Sequence, residues 1–197
     1  MVGLDTGIAS PIGASHYRQE NGVNLIEIRL GTVHQLFNSL DPAPFHEKDL
    51  DREAEAYIVE SARDFALRAP LKLVLHVPLS ELPAAMNARV EAAIQHYFHY
   101  RLWFERSALR KELSYGRLAL LIGLSFLFVC IALREVMLSF GSGTFYQIAA
   151  EGLLISGWVA MWRPLQVFLY DWWPIRRNCR LYEKLSQLPV ELRPRPN

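Results

Sequence analysis

The sequence predicts an α+β membrane protein with a small cytosolic β-α-β domain, a long stalk helix and a two-helix transmembrane hairpin. Three observations predict it. Residues 24–30 and 71–77 alternate in polarity as half-buried strands do, with a helix-period stretch between them. Residues 84–115 contain neither proline nor glycine and keep a helical pattern. Two apolar runs, 118–133 and 145–162, flank a Gly141-Ser142-Gly143 turn.

Residues 1–22 are expected to be a disordered tail. They are rich in small residues and lack the basic start and apolar core of a signal peptide. Residues 23–80 form the expected cytosolic α/β domain. In its first strand Ile26, Ile28 and Leu30 share one face, and Glu27 and Arg29 share the other. A short helical stretch at 33–40 and a proline-stiffened loop at 41–45 follow. A helix from about Asp51 to Ala66 comes next, with Asp49 or Asp51 as N-cap. Its apolar stripe is Ala54, Tyr57, Ile58, Ser61, Ala62 and Phe65. The second strand buries Leu71, Leu73, Leu75 and Val77, and Pro78 stops it. Strand, helix, strand predicts a parallel pair. Two strands alone are marginal, so further strands are expected from another subunit, a partner or an element not legible locally.

The stalk helix is placed at 81–114, with Met86, Val90, Ala93, Ile94, Tyr97, Phe98, Leu102 and Phe104 supplying apolar surface. Transmembrane helices are placed at 115–140 and 144–163, since about 20 apolar residues span a hydrocarbon core of ~30 Å. Arg163-Pro164 is expected to close the second. Residues 164–197 are read as an interfacial segment and a basic cytosolic tail, with Arg163, Trp172 and Trp173 as interfacial anchors. Arg101, Arg106, Arg110, Lys111 and Arg117 precede the hairpin. Arg163, Arg176, Arg177, Arg180 and Lys184 follow it, and only Arg134 lies between. The positive-inside rule then puts both termini in the cytoplasm.

Arg134 and Glu151 fall at matching depth, about 10 Å from the turn at 1.5 Å per residue. Pairing across the hairpin would offset the cost of an intramembrane charge, on the order of 3 kcal/mol. Glu135 competes for Arg134, and snorkelling to the headgroups is the bland alternative. Small residues at every fourth position, Ala119 and Gly123 on one helix and Gly152, Ser156 and Ala160 on the other, predict close helix packing.

The chemistry-bearing signals are sparse. Among 197 residues with net charge +1, no basic excess points to nucleic acid. Cys130 and Cys179 form no disulfide framework. His96 and His99 share a helix face but lack the further ligands of a metal site. The acids of the 41–51 loop lack the calcium-loop spacing. Neither catalytic residues nor a metal or other cofactor are expected.

The segment Leu36-Phe-Asn-Ser-Leu-Asp-Pro-Ala-Pro-Phe45, with Asp49-Leu-Asp51 and Glu55-Ala-Tyr-Ile58, resembles a family of uncharacterised bacterial two-pass membrane proteins. Glu151-Gly-Leu-Leu-Ile155, Trp158, Trp162-Arg-Pro164 and Asp171-Trp-Trp-Pro174 fit the same resemblance. It implies the bacterial inner membrane and no particular activity. The expected function is that of a non-enzymatic membrane anchor. It presents the α/β domain to a second copy of the chain or to another membrane protein. The alternative is a homo-oligomeric channel or transporter subunit with Glu151 near the permeation path. Its layout resembles magnesium channels of the CorA type, without their Gly-Met-Asn signature.

Overall fold

The computed structural model describes residues 17–41, 48–87, 89–141 and 143–195. The chain divides into two compact units. One combines the residues up to Trp103 with those from Arg180 onward; the other is Phe104–Cys179.

The first unit is built on a four-stranded sheet in the order β1-β2-β3-β4. Strands β1 (Gln19–Glu20) and β2 (Val23–Arg29) form an antiparallel hairpin. Its turn is Asn21-Gly22, with φ of 52° and 78°. That dipeptide supplies the two left-handed residues which match the strand twist. Strand β3 (Leu71–Val77) runs parallel to β2, as expected, with Ile26 beside Leu73 and Ile28 beside Leu75. Helix α1 (Arg52–Arg63) makes the crossover, and Asp51 caps it by accepting from the Glu53 N–H at 2.9 Å. Its buried face is Ile58, Val59, Ser61 and Ala62, while Tyr57 is half exposed.

Strand β4 (Val190–Pro194) corrects the expected basic tail. It pairs parallel to β3, with Leu73 beside Val190 and Leu75 beside Leu192. The expected disordered tail is corrected too at its C-terminal end, because residues 19–22 build β1 and its turn; residues 1–16 lie outside the described residues. The extra strands are therefore the chain's own. Both edges are also blunted. Leu73 N–H donates to the Pro189 carbonyl and Arg195 N–H to that of Val77, so even-numbered residues of β4 point their backbone outward. Of these, Val190 N–H is taken by Glu91 Oε1 at 3.3 Å, and Pro194 has no N–H. At the other edge, β1 is two residues long. Short edges and proline are how sheets avoid adding foreign strands.

The expected continuous stalk is interrupted. Helix α2 (Leu82–Asn87) ends before Arg89, which sits at φ 49°. Helix α3 (Val90–Phe140) then runs for 51 residues. Its first turns are core rather than a free stalk: Val90, Ala93, Ile94, Tyr97, Phe98 and Leu102 are buried, whereas Met86 and Phe104 are exposed. Phe98 packs on Tyr182 of α6 (Trp172–Leu185), and Lys184 of α6 donates to the Ala66 carbonyl just beyond α1. The fully buried Ile26, Leu73, Leu75, Ile94, Phe98 and Leu185 form this core. Each such side chain contributes about 1.5–3 kcal/mol on transfer from water.

The second unit holds the rest of α3, then α4 (Thr144–Ala160), α5 (Trp162–Gln166), a π-helical turn (Val167–Asp171) and the start of α6. Pro164 does not close this stretch, as the sequence suggested it would. It sits in the first turn of α5, where a missing N–H costs least. The helical run Thr144–Leu185 and α3 are both long and apolar enough to cross a membrane. In each, only 17% of the most apolar window is buried.

Candidate functional site

The hairpin of the second unit is built on a seven-residue repeat. Gly116, Gly123 and Cys130 are buried on α3, with Leu120, Leu127, Arg134 and Met137 half-buried between and beyond them. On the return strand of the hairpin Ala150, Gly157, Pro164 and Val167 are buried, with Tyr146, Leu153 and Ala160 half-buried. Both sets alternate by three and four residues, the spacing of a left-handed helix seam. The glycines are where the helices touch. A Cβ at Gly157 would lie 2.7 Å from Leu127 Cδ1 and 3.2 Å from Cys130 Cβ. At Gly116 it would lie 2.6 Å from Val167 Cγ1, and at Gly123 3.0 Å from the Ala160 carbonyl oxygen.

Of the small residues singled out in the sequence, Gly123 and Ala160 meet in the seam and Ala119 is half-buried beside it. Gly152 and Ser156 do not: both are exposed, and nothing lies within 4 Å of a Cβ at Gly152. The Ser156 hydroxyl bonds back to the Gly152 carbonyl at 2.8 Å. Gly116 and Gly157 were missed because they repeat at seven residues, not four.

Arg134 pairs with its neighbour Glu135, not with Glu151. Adjacent residues need no particular crossing of the helices to meet. Glu151 is exposed, and among the described residues it makes no ion pair.

At the other end of the seam, Arg163 stands between two acids. Its Nη1 donates to Asp171 Oδ2 at 3.2 Å, and its Nη2 lies 3.9 Å from Glu112 Oε1. Eight residues along an α-helix would leave Asp171 about 80° round from Arg163. The wider π turn, which ends at Asp171, rotates it back. A groove of about 470 Å³ opens here, lined by Glu112, Tyr115, Leu118, Ala119, Ile122 and Arg163. Trp172 donates to the Phe168 carbonyl at 2.8 Å and stacks under Arg176, whose guanidinium is 5.4 Å from the ring centre. Trp173 is exposed.

The first unit carries ionic struts that the sequence did not reveal. Arg193 grips both oxygens of Glu20, at 2.8 and 2.6 Å, and donates through Nε to Glu191 at 2.7 Å. Lys72 reaches the other Glu191 oxygen at 3.0 Å, and Arg18 joins Glu20 at 3.0 Å. The Arg193 and Lys72 bonds pull the Glu191 carboxyl down to about 2. This ladder ties the first strand to the last. His76 Nε2 meets Glu27 Oε1 at 3.0 Å, and its Nδ1 is buried without a partner among the described residues.

On the helical side, the Tyr97 hydroxyl donates to Glu55 at 2.7 Å. Burial and then that bond raise its pKa. Arg101 Nε lies 2.9 Å from Glu55, an ion-pair distance without an aligned hydrogen bond. A second groove, of about 600 Å³, runs between the start of α3 and β4. His96 and His99 are exposed, and no group of three potential metal ligands forms among the described residues. Of the acidic loop, residues 42–47 lie outside the described residues. Asp41 and Asp51 serve as local caps, accepting from the N–H groups of Asp49 and Glu53.

No protein-family model, no curated protein and no solved structure matches the chain.

Proposed function

We propose that this chain is a non-enzymatic membrane anchor: a two-helix hairpin that holds a four-stranded α/β domain at the cytoplasmic face of a bacterial inner membrane, for assembly with other membrane components. The observation that carries this reading is the exposed apolar belt of the hairpin. Leu121, Ile122, Phe126, Phe128, Val136 and Phe140 of α3 all stand open, as do Phe145, Ile148, Ile155 and Trp158 of α4. Soluble proteins rarely leave so large a contiguous apolar surface uncovered. Residues 118–140 would span about 34 Å at 1.5 Å per residue, enough for a hydrocarbon core of ~30 Å. The basic residues flanking both helices support a cytoplasmic placement of the termini.

The rival reading, a channel subunit with Glu151 on the permeation path, needs several copies around a common axis. Glu151 lies outside the seam of a single hairpin. The anchor requires no such assembly and is preferred.

The test is topological. Expressed in bacterial cells, the protein should stay with the membranes through an alkaline carbonate wash. In sealed spheroplasts, a Thr144→Cys variant should react with an impermeant maleimide, and Gln187→Cys only after permeabilisation. Native Cys130 and Cys179 are buried and give little background. Release of the protein by carbonate rejects the anchor; labelling of Gln187→Cys from outside rejects the orientation.

A further inference from the structure

We propose that the groove beside Arg163 is a binding site for the headgroup of a phospholipid bearing a primary ammonium, of the phosphatidylethanolamine type. The inference rests on the bilayer reading above and deepens it. Its basis is the charge pattern. One guanidinium is set between two carboxylates, at 3.2 Å from Asp171 and 3.9 Å from Glu112. Within the trio two carboxylates accompany one guanidinium, a pattern that suits a zwitterion. Arg163 is still open: its side chain is 63% exposed, and Glu112 stands beyond hydrogen-bond distance of it.

The guanidinium has donors left for a phosphate. The carboxylates have acceptor positions left, and these call for N–H donors. A primary ammonium has three N–H groups and a choline has none. Below the charges, Leu118, Ala119 and Ile122 give the groove an apolar floor on which the first part of an acyl chain would lie. Tyr115 of α3 also lines the groove, a residue type that favours the headgroup level. The site is built by the π turn, which holds Asp171 against Arg163.

The experiment is native mass spectrometry of the full chain in gentle detergent, with phosphatidylethanolamine, phosphatidylcholine and phosphatidylglycerol added in turn. Wild type should retain phosphatidylethanolamine at least about tenfold better than the other two, the weight of one charge-assisted hydrogen bond. The Glu112→Gln/Asp171→Asn double variant should lose that preference and favour phosphatidylglycerol. Arg163→Gln should weaken retention of all three. Equal retention of the three lipids by wild type, or preference for phosphatidylglycerol, overturns the site while leaving the anchor intact. Failure of the anchor itself shows separately, as release by carbonate.

Discussion

Gly157 sits where the two helices of the hairpin come closest. Its missing side chain is filled by Leu127 and Cys130, at 2.7 and 3.2 Å from where a Cβ would be. Gly152, one and a half turns away on the same helix, faces open space. Substituting leucine at each position therefore has opposite consequences. Gly157→Leu gains about 1 kcal/mol of helix propensity but overpacks the seam by about 1–3 kcal/mol or more, so the hairpin should lose stability. Gly152→Leu gains the propensity alone and should be neutral or stabilising. Thermal or denaturant unfolding in detergent distinguishes them, and the reverse ranking would mean that the seam has been assigned to the wrong face. Half of this contact was legible in the sequence. Gly123 and Ala160 stand out as small residues, but a search at four-residue spacing also picks up Gly152 and Ser156. The seven-residue recurrence of Gly116, Gly123 and Cys130, and of Ala150, Gly157 and Pro164, was the better signal. Arg163 stood out in the sequence as a candidate interfacial anchor. Its setting between Glu112 and Asp171 was not, because the π turn that brings Asp171 round leaves no local pattern.

Strand β4 is five residues long, ends in proline and lies at the far end of the chain from its neighbour, yet the sheet depends on it. A chain ending at Pro189 would uncover the β3 edge and the faces of Leu73 and Leu75, both fully buried. It would also free Lys72 and Glu20 from Glu191 and Arg193. Uncovering one leucine costs about 1.5–3 kcal/mol. In a unit of about 120 residues that lowers Tm by roughly 6–12 °C. Scanning calorimetry of the truncated chain should show the loss, and an unchanged Tm would mean that the parallel pairing is dispensable. Elements β2, α1 and β3 were readable because each carries its own periodicity and cap. The Asn21-Gly22 turn was a readable hairpin signal as well, though its flanking strand has only two residues. Val190-Glu-Leu-Arg-Pro194 was not readable as a strand. Its alternation is short and its charges resemble a tail, because the pairing that makes it a strand comes from residues more than a hundred positions away.

The two compact units are held by different forces, which gives the whole molecule a specific response to acid. In the first unit a carboxylate ladder fastens β1 and β4. Glu191 is pulled down to about 2 by its bonds to Arg193 and Lys72, and Glu20 is lowered first by its bond to Arg193. A depressed carboxyl pKa contributes stability that is fully present above the unfolded value, near 4.5. That stability is lost as pH falls from there through about 2. The ladder is partly exposed, so the effect is moderated by solvent and salt. In the second unit the seam residues are mostly small or apolar, and none of them is a carboxylate. Lowering the pH from 6 to 3 should therefore loosen the sheet before the hairpin. Hydrogen exchange in detergent reads both at once. Amides of β3 and β4 should lose protection at pH 3, and those around Gly123 to Cys130 should keep it. Raising the salt at pH 6 should reproduce part of the change in the sheet and none in the hairpin. Equal loss in both units would mean that they unfold as a single cooperative body, and that the ladder is not what sets the acid limit.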